Sequence, residues 1–125
     1  MVDKLLCGRR ALVVEDEMLV LIMIEDMLAD LGCSSVASAA TVGKALTLID
    51  TQAFDVALLD INLDGNDSHP VADALSARGV PFVYATGNSG HNLKDGYAGR
   101  PVLMKPFKFE DLAATLGRLK LAPLE

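Results

Sequence analysis

Five side chains in this sequence have types and spacing that could do chemistry together: the adjacent pair Glu15-Asp16, then Asp60, Thr86 and Lys105. Each follows or closes a short apolar run. Three carboxylates gathered in one crevice repel one another unless a cation offsets them. Mg²⁺ suits that task, because it takes oxygen ligands and needs only one or two carboxylates beside waters and a phosphate. A lysine adds a fixed positive charge and a threonine a small hydroxyl donor. Together these groups meet the needs of phosphoryl transfer to a carboxylate nucleophile, in which the protein positions groups and neutralises charge. Asp60 stands alone at its run's end and is the best nucleophile, whereas Glu15 and Asp16 suit metal binding. Taken singly, each residue has a plainer role: an acid capping a helix, a threonine in a turn, a solvated lysine. The chemical reading depends on the fold bringing them together.

The elements that would do so are legible. "ALVVE" (11–15), "FDVALLD" (54–60) and "VPFVYAT" (80–86) are continuous apolar runs, as expected of strands buried on both faces. "CSSVASA" (33–39) and "PVLM" (101–104) are shorter strands. Between them, "EMLVLIMIEDMLADLG" (17–32) predicts a helix ended by Gly32, and Thr41 predicts an N-cap before "VGKALTLID". "INLDGNDSHP" reads as a loop, Pro70 starts a short helix, and "FEDLAATLGRLK" is a last amphipathic helix. Strands alternating with helices imply a parallel sheet covered on both sides. The common five-stranded, doubly wound order is 2-1-3-4-5, whose ligand crevice lies beyond the carboxyl ends of strands 1 and 3. Those are the two strands that end in acid.

Composition bounds the rest. A chain of 125 residues is one domain by length, and 51% apolar with 22% charged residues is globular. A net charge of −6 with scattered basic residues argues against nucleic acid. No segment has the length of a membrane span or the pattern of a signal peptide, so the expected location is the cytoplasm. Cys7 and Cys33 lack metal-ligand spacing and read as reduced thiols. His69 and His91 read as isolated loop residues, and Asp64 and Asp67 as solvated turn residues. The helix at 17–32 is apolar nearly all round, more than one sheet face can cover, which points to a partner or self-association surface.

The pieces "LVVEDE", "ALLDINL", "YATG" and "LMKPF" resemble, in order and spacing, the receiver domain of bacterial two-component response regulators, over nearly the whole chain. The resemblance implies a flavodoxin-like fold and a single receiver domain over residues 1–125, with its core at about 9–120 and no effector domain. It implies Asp60 as phosphoacceptor, with Glu15, Asp16, Asp60 and the backbone carbonyl of Asn62 as contacts of Mg²⁺ or Mn²⁺. Thr86 and Lys105 become the phosphoryl-binding switch pair, Asn62 and Asn88 the site rim, and Lys105-Pro106 a cis peptide. A histidine kinase or phosphotransfer protein is the implied donor, with a downstream protein target or a phosphate-sink role as output. Nucleic acid and membrane are not expected as partners. A homodimer through the first helix, or through the face of the fourth helix, fifth strand and fifth helix, is a further expectation.

One position departs from the pattern. Many receivers carry Tyr or Phe three residues before the lysine, where this chain has Val102; Tyr84 is not an obvious replacement. "YATG" with Val102 is similar to a subset with a Phe-Ala-Thr-Gly signature and an unusual fourth helix. Four glycines, Gly87, Gly90, Gly96 and Gly99, dilute the segment between Thr86 and Lys105, and each disfavours helix by about 1 kcal/mol relative to Ala. That predicts an atypical or partly disordered fourth helix, ordered by phosphorylation. Two other classes compete. An aspartyl-nucleophile phosphohydrolase would show D-x-D after its first strand, whereas here Asp60 is followed by Ile61-Asn62 on the third. A receiver-like module that binds without phosphorylation would not need the full acid, threonine and lysine set.

Overall fold

The computed structural model describes residues 5–63, 65–86 and 101–119. The helix expected between Thr86 and Lys105, together with Asn88, His91 and Asp64, lies outside them. The described elements are β1 (Arg10–Val14), α1 (Met18–Asp30), β2 (Ser35–Ala39), α2 (Val42–Thr51), β3 (Val56–Asp60), β4 (Asn62–Leu63), β5 (Asn66–Asp67), α3 (His69–Ala77), β6 (Phe82–Thr86), β7 (Val102–Met104) and α4 (Phe109–Gly117).

The main sheet is five-stranded with order β2-β1-β3-β6-β7, and every pairing is parallel. This is the expected 2-1-3-4-5 order of a doubly wound sheet. The central strands β3 and β6 are buried at every residue, while the edge strands β2 and β7 are only partly buried. Alternation along each strand divides the core in two. On one face Ala11, Val13, Leu58 and Val83 pack with Leu21, Ile24 and Leu28 of α1 and Leu112 and Leu116 of α4. On the other, Leu12, Val14, Leu59, Phe82 and Tyr84 pack with Ala45 and Ile49 of α2 and Val71 and Leu75 of α3.

The helices start and stop where short-range chemistry directs. α1 buries the stripe Leu21, Ile24 and Leu28, and past its C-cap Leu31 comes Gly32, whose φ of +99° is left-handed. α1 has more apolar residues than the sheet can cover, and Met18, Leu19 and Ile22 stay exposed. The Thr41 side chain accepts a hydrogen bond from Lys44 N at 3.1 Å at the start of α2. Thr41→Ala is expected to destabilise the chain by about 1 kcal/mol, the usual worth of such a cap, measured as a shifted urea midpoint with unchanged slope.

Three local expectations are corrected. The 61–70 stretch is more than a loop: β4 and β5 pair antiparallel around Gly65 at φ +86°. Asp67 is not merely solvated, because its Oδ1 accepts from His69 N at 2.8 Å, directly before α3. His69 is not isolated in a loop either; it opens α3, with its Nε2 3.4 Å from Asp73 one turn on.

The two thiols are free and differ in setting. Cys7 is exposed, whereas Cys33 packs partly buried against the α1 side of the core. Burial, with the charge of Asp55 adding to it, pushes the Cys33 thiol up to about 11. The neutral thiol is therefore favoured by the fold, a contribution present below the ordinary thiol value and lost as pH rises towards about 11. Alkylation followed by peptide mapping at mildly alkaline pH is expected to modify Cys7 well before Cys33, with Cys33 catching up as pH approaches that value.

Candidate functional site

Because all five main strands run the same way, their carboxyl ends lie along one edge. Asp60 is the last residue of β3, and Glu15 follows β1, with its N–H continuing the ladder to Ala39 O at 3.0 Å. Lys105 follows β7, and its N–H donates to Thr86 O at 2.8 Å at the end of β6. The peptide from Lys105 to Pro106 is cis, as expected.

Glu15, Asp16 and Asp60 form one cluster whose carboxylate oxygens lie within 4.8 Å of one another. Glu15 is 1% exposed and Asp60 7%, so two of these charges are held away from water. Lys105 stands between them, with Nζ 2.5 Å from Glu15 Oε1 and 3.0 Å from Asp60 Oδ2. The Asp60 contact is an aligned hydrogen bond. The Glu15 contact is a close ion pair off hydrogen-bond alignment, which leaves Glu15 Oε1 buried without an aligned donor. Glu15 Oε2 accepts from Glu17 N at 3.1 Å.

Burial drives the Glu15 carboxyl up; the contact with the Lys105 ammonium and the Glu17 N–H bond work against that rise, and the nearby Asp60 charge adds to it. For Lys105 burial works the other way, but Glu15 and Asp60 outweigh it and hold the ammonium above its ordinary range. Three acids at −1 each and one ammonium at +1 leave a formal −2, which a divalent cation would neutralise. The donor set is all oxygen, as Mg²⁺ prefers. Glu15 Oε1, buried and ion-paired with Lys105 but without an aligned hydrogen-bond donor, faces this cluster as a candidate ligand. These residues fit a divalent cation.

Thr86 is 4% exposed and stands at the same edge, but alternation places it on the α2–α3 face with Phe82 and Tyr84. Asp60 is register partner to Ala85, not Thr86. The site thus brings together Glu15, Asp16, Asp60 and Lys105, with Thr86 adjacent. The backbone of Asn62 begins β4 two residues past Asp60; the rim roles of Asn62 and Asn88 fall outside what the structure describes.

Sequence reasoning missed two contacts. One is the Glu15–Lys105 pair, whose only signal was that both residues follow strand ends. The other is that Tyr84 is register partner to Val102 on the same face of the sheet. Beside Lys105, a groove of about 390 Å³ is lined by Glu17, Leu19, Val20, Met23 and Pro106, which joins the site to the exposed flank of α1.

Among solved structures, the chain is similar to SdrG from Sphingomonas melonis Fr1, at 43% identity and a TM-score of 0.79, over 87% of this chain and 93% of that one. The BeF3-activated conformation of SdrG from Pseudomonas melonis Fr1 matches at 41% identity and TM-score 0.76, over 88% and 94%. The receiver domain of the sensor histidine kinase PA1611 from Pseudomonas aeruginosa PAO1, with a magnesium ion coordinated in its active-site cleft, matches at 31% identity and TM-score 0.77, over 90% and 97%. A comparison with curated proteins found no match. The family described as response regulator receiver domain matches residues 11–117, from within β1 to the last residue of α4, and the chain belongs to that family.

Proposed function

We propose that this protein accepts a phosphoryl group on Asp60 from a histidine kinase or phosphotransfer protein in a Mg²⁺-dependent reaction. The observation that carries the reading is the cluster of Glu15, Asp16 and Asp60 gathered around Lys105 at the carboxyl edge of the sheet. The magnesium ion in the PA1611 receiver cleft and the BeF3-activated form of SdrG support it by similarity.

The chemistry follows from the placement. A carboxylate oxygen of Asp60 attacks the phosphorus of a phosphohistidine, the P–N bond breaks, and its electron pair returns to the imidazole. Glu15 and Asp16, with the Asn62 carbonyl, would hold a Mg²⁺ that neutralises the phosphoryl oxygens; Mn²⁺ has the same oxygen preference. Lys105 offers a second cation to those oxygens. Thr86, whose carbonyl is tied to the Lys105 N–H, is the hydroxyl that turns from the α2–α3 face towards the phosphoryl group.

The output is protein binding that depends on phosphorylation, or the draining of phosphoryl groups from a kinase. The only chemistry assigned is formation and loss of its own acyl phosphate, so the protein is a signalling phosphoacceptor rather than an enzyme with an external substrate. The donor approaches along the groove beside Lys105, which exposed Leu19 helps to line; a homodimer is the other use of the exposed flank of α1. No described helix is long and apolar enough to cross a membrane, and a kinase donor sets the work in the cytoplasm.

The test is incubation with a small acyl phosphate, read by intact mass. One phosphoryl group is expected with Mg²⁺ and none under chelation. Equal labelling under both conditions would reject the metal dependence, and steady turnover of phosphate esters would favour a hydrolase.

A further inference from the structure

We propose that Cys7 and Cys33 are a redox pair, closed to an internal disulfide by a low-molecular-weight disulfide and reopened by thiols. The pair stands apart from the phosphoacceptor reading and does not depend on it.

Residues 5–9 lie ahead of the family match, which begins at 11, yet they are built into the fold. Leu6 is fully buried in the cluster that holds Leu28, Leu31, Leu112 and Leu116. Leu6 N donates to Leu31 O at 2.8 Å, Gly8 N to Gly32 O at 3.1 Å and Ser34 N to Arg9 O at 2.8 Å. Ser34 Oγ adds bonds to the carbonyls of Gly8 and Arg9. The segment is thus laced to the turn between α1 and β2. Each side of the lacing carries one cysteine beside a left-handed glycine: Cys7 before Gly8 at φ +78°, and Cys33 after Gly32 at φ +99°.

The Gly8-to-Gly32 bond joins the Cys7–Gly8 peptide to the Gly32–Cys33 peptide. In a trans peptide the preceding α-carbon lies on the N–H side and the following one on the C=O side. The α-carbons of Cys7 and Cys33 therefore border the same hydrogen bond. Disulfides span α-carbons about 4.4–6.8 Å apart, the scale at which peptide hydrogen bonds join two extended segments.

Cys7 is exposed and Cys33 half-buried, which sets the order of the steps. The Cys7 thiolate attacks one sulfur of the external disulfide, whose S–S bond breaks and releases one thiolate. The Cys33 thiolate then attacks the Cys7 sulfur and displaces the second. Both cysteines are oxidised, the external disulfide is reduced to two thiols, and the two cysteine protons end on them. Burial, which pushes the Cys33 thiol up to about 11, suits it to resolve rather than to attack first. In reducing compartments such cross-links are transient and redox-sensing. This one would sit ahead of β1 and β2, at the end of the sheet opposite the acids, and enclose β1 and α1 in a covalent loop.

The experiment uses the full chain and glutathione disulfide as probe, with acid quenching and intact mass. The folded wild type is expected to lose two hydrogens and carry no glutathione, and a non-reducing peptide map should link Cys7 to Cys33. Cys33→Ser should stop at one glutathione on Cys7. The equilibrium constant for closure against glutathione should be about tenfold or more higher in the folded chain than in urea, and by linkage the oxidised chain should show a raised urea midpoint. A folded wild type that stops at glutathione adducts, or that joins through Cys7 into dimers, would overturn the proposal. So would a closure constant no higher than that of the unfolded chain. If Cys33→Ser does not fold, the two wild-type constants decide alone.

Discussion

Asp60→Asn is expected to take up no phosphoryl group from an acyl-phosphate donor with Mg²⁺, under conditions that label the wild type fully. The amide keeps the shape of the carboxylate but lacks the anionic oxygen that attacks phosphorus, and nucleophilic carboxylates act only when ionised. The loss should come without unfolding. Glu15 remains to pair with Lys105 at 2.5 Å, and removing one of three clustered carboxylates relieves repulsion. A melting temperature equal to or above that of the wild type, measured without metal, accompanies the expected result. Labelling of Asp60→Asn at the wild-type level would reject Asp60 as the acceptor. The burial of Glu15 sets the pH range of this relief. Its carboxyl is held above the ordinary range chiefly by burial, so its contribution to stability is present at low pH and is lost as pH rises through its folded value. Added Mg²⁺ should therefore stabilise the chain more at neutral pH than below the ordinary carboxyl value.

The largest stability effect is expected at Tyr84. Its side chain is fully buried, its ring meets Phe82 edge to face at a centroid distance of 5.3 Å, and Val102 is its partner on the neighbouring strand. Truncating a buried aromatic removes its transfer free energy and leaves a cavity, so Tyr84→Ala should cost about 3–5 kcal/mol. Leu19→Ala is the control. Leu19 is 83% exposed, and the same kind of truncation there should change stability by less than about 0.5 kcal/mol. Urea unfolding of both variants distinguishes the two sites, and a Tyr84→Ala midpoint close to the wild type would show that the β6–β7 face is loosely packed.

Much of the architecture was legible because it is written locally. Fully apolar runs such as "VALLD" and "FVYAT" become strands covered on both faces, since no other short element buries every side chain. Right-handed crossovers then leave few topologies, and the observed sheet has the expected order. The acids were legible for the same reason: a carboxylate that closes an apolar strand must emerge at the sheet's edge, and Glu15 and Asp60 do so from adjacent strands.

Contacts across strands were not legible in this way. Tyr84 and Val102 are far apart in sequence, and only the β6–β7 register makes them neighbours on one face. A one-residue change of register would turn one of them to the opposite face. The same holds for Thr86, which spacing groups with Asp60 and Lys105 but alternation turns to the face of Tyr84. His69 and Asp73 met because α3 begins at His69 rather than after it. By itself, then, the sequence determined the elements, the sheet and the edge at which the acids collect, since these follow from periodicity and chain direction. Tertiary structure alone decided that Lys105 lies between Glu15 and Asp60. That placement depends on burial, on the reach of two side chains and on the order of strands, and periodicity encodes none of the three.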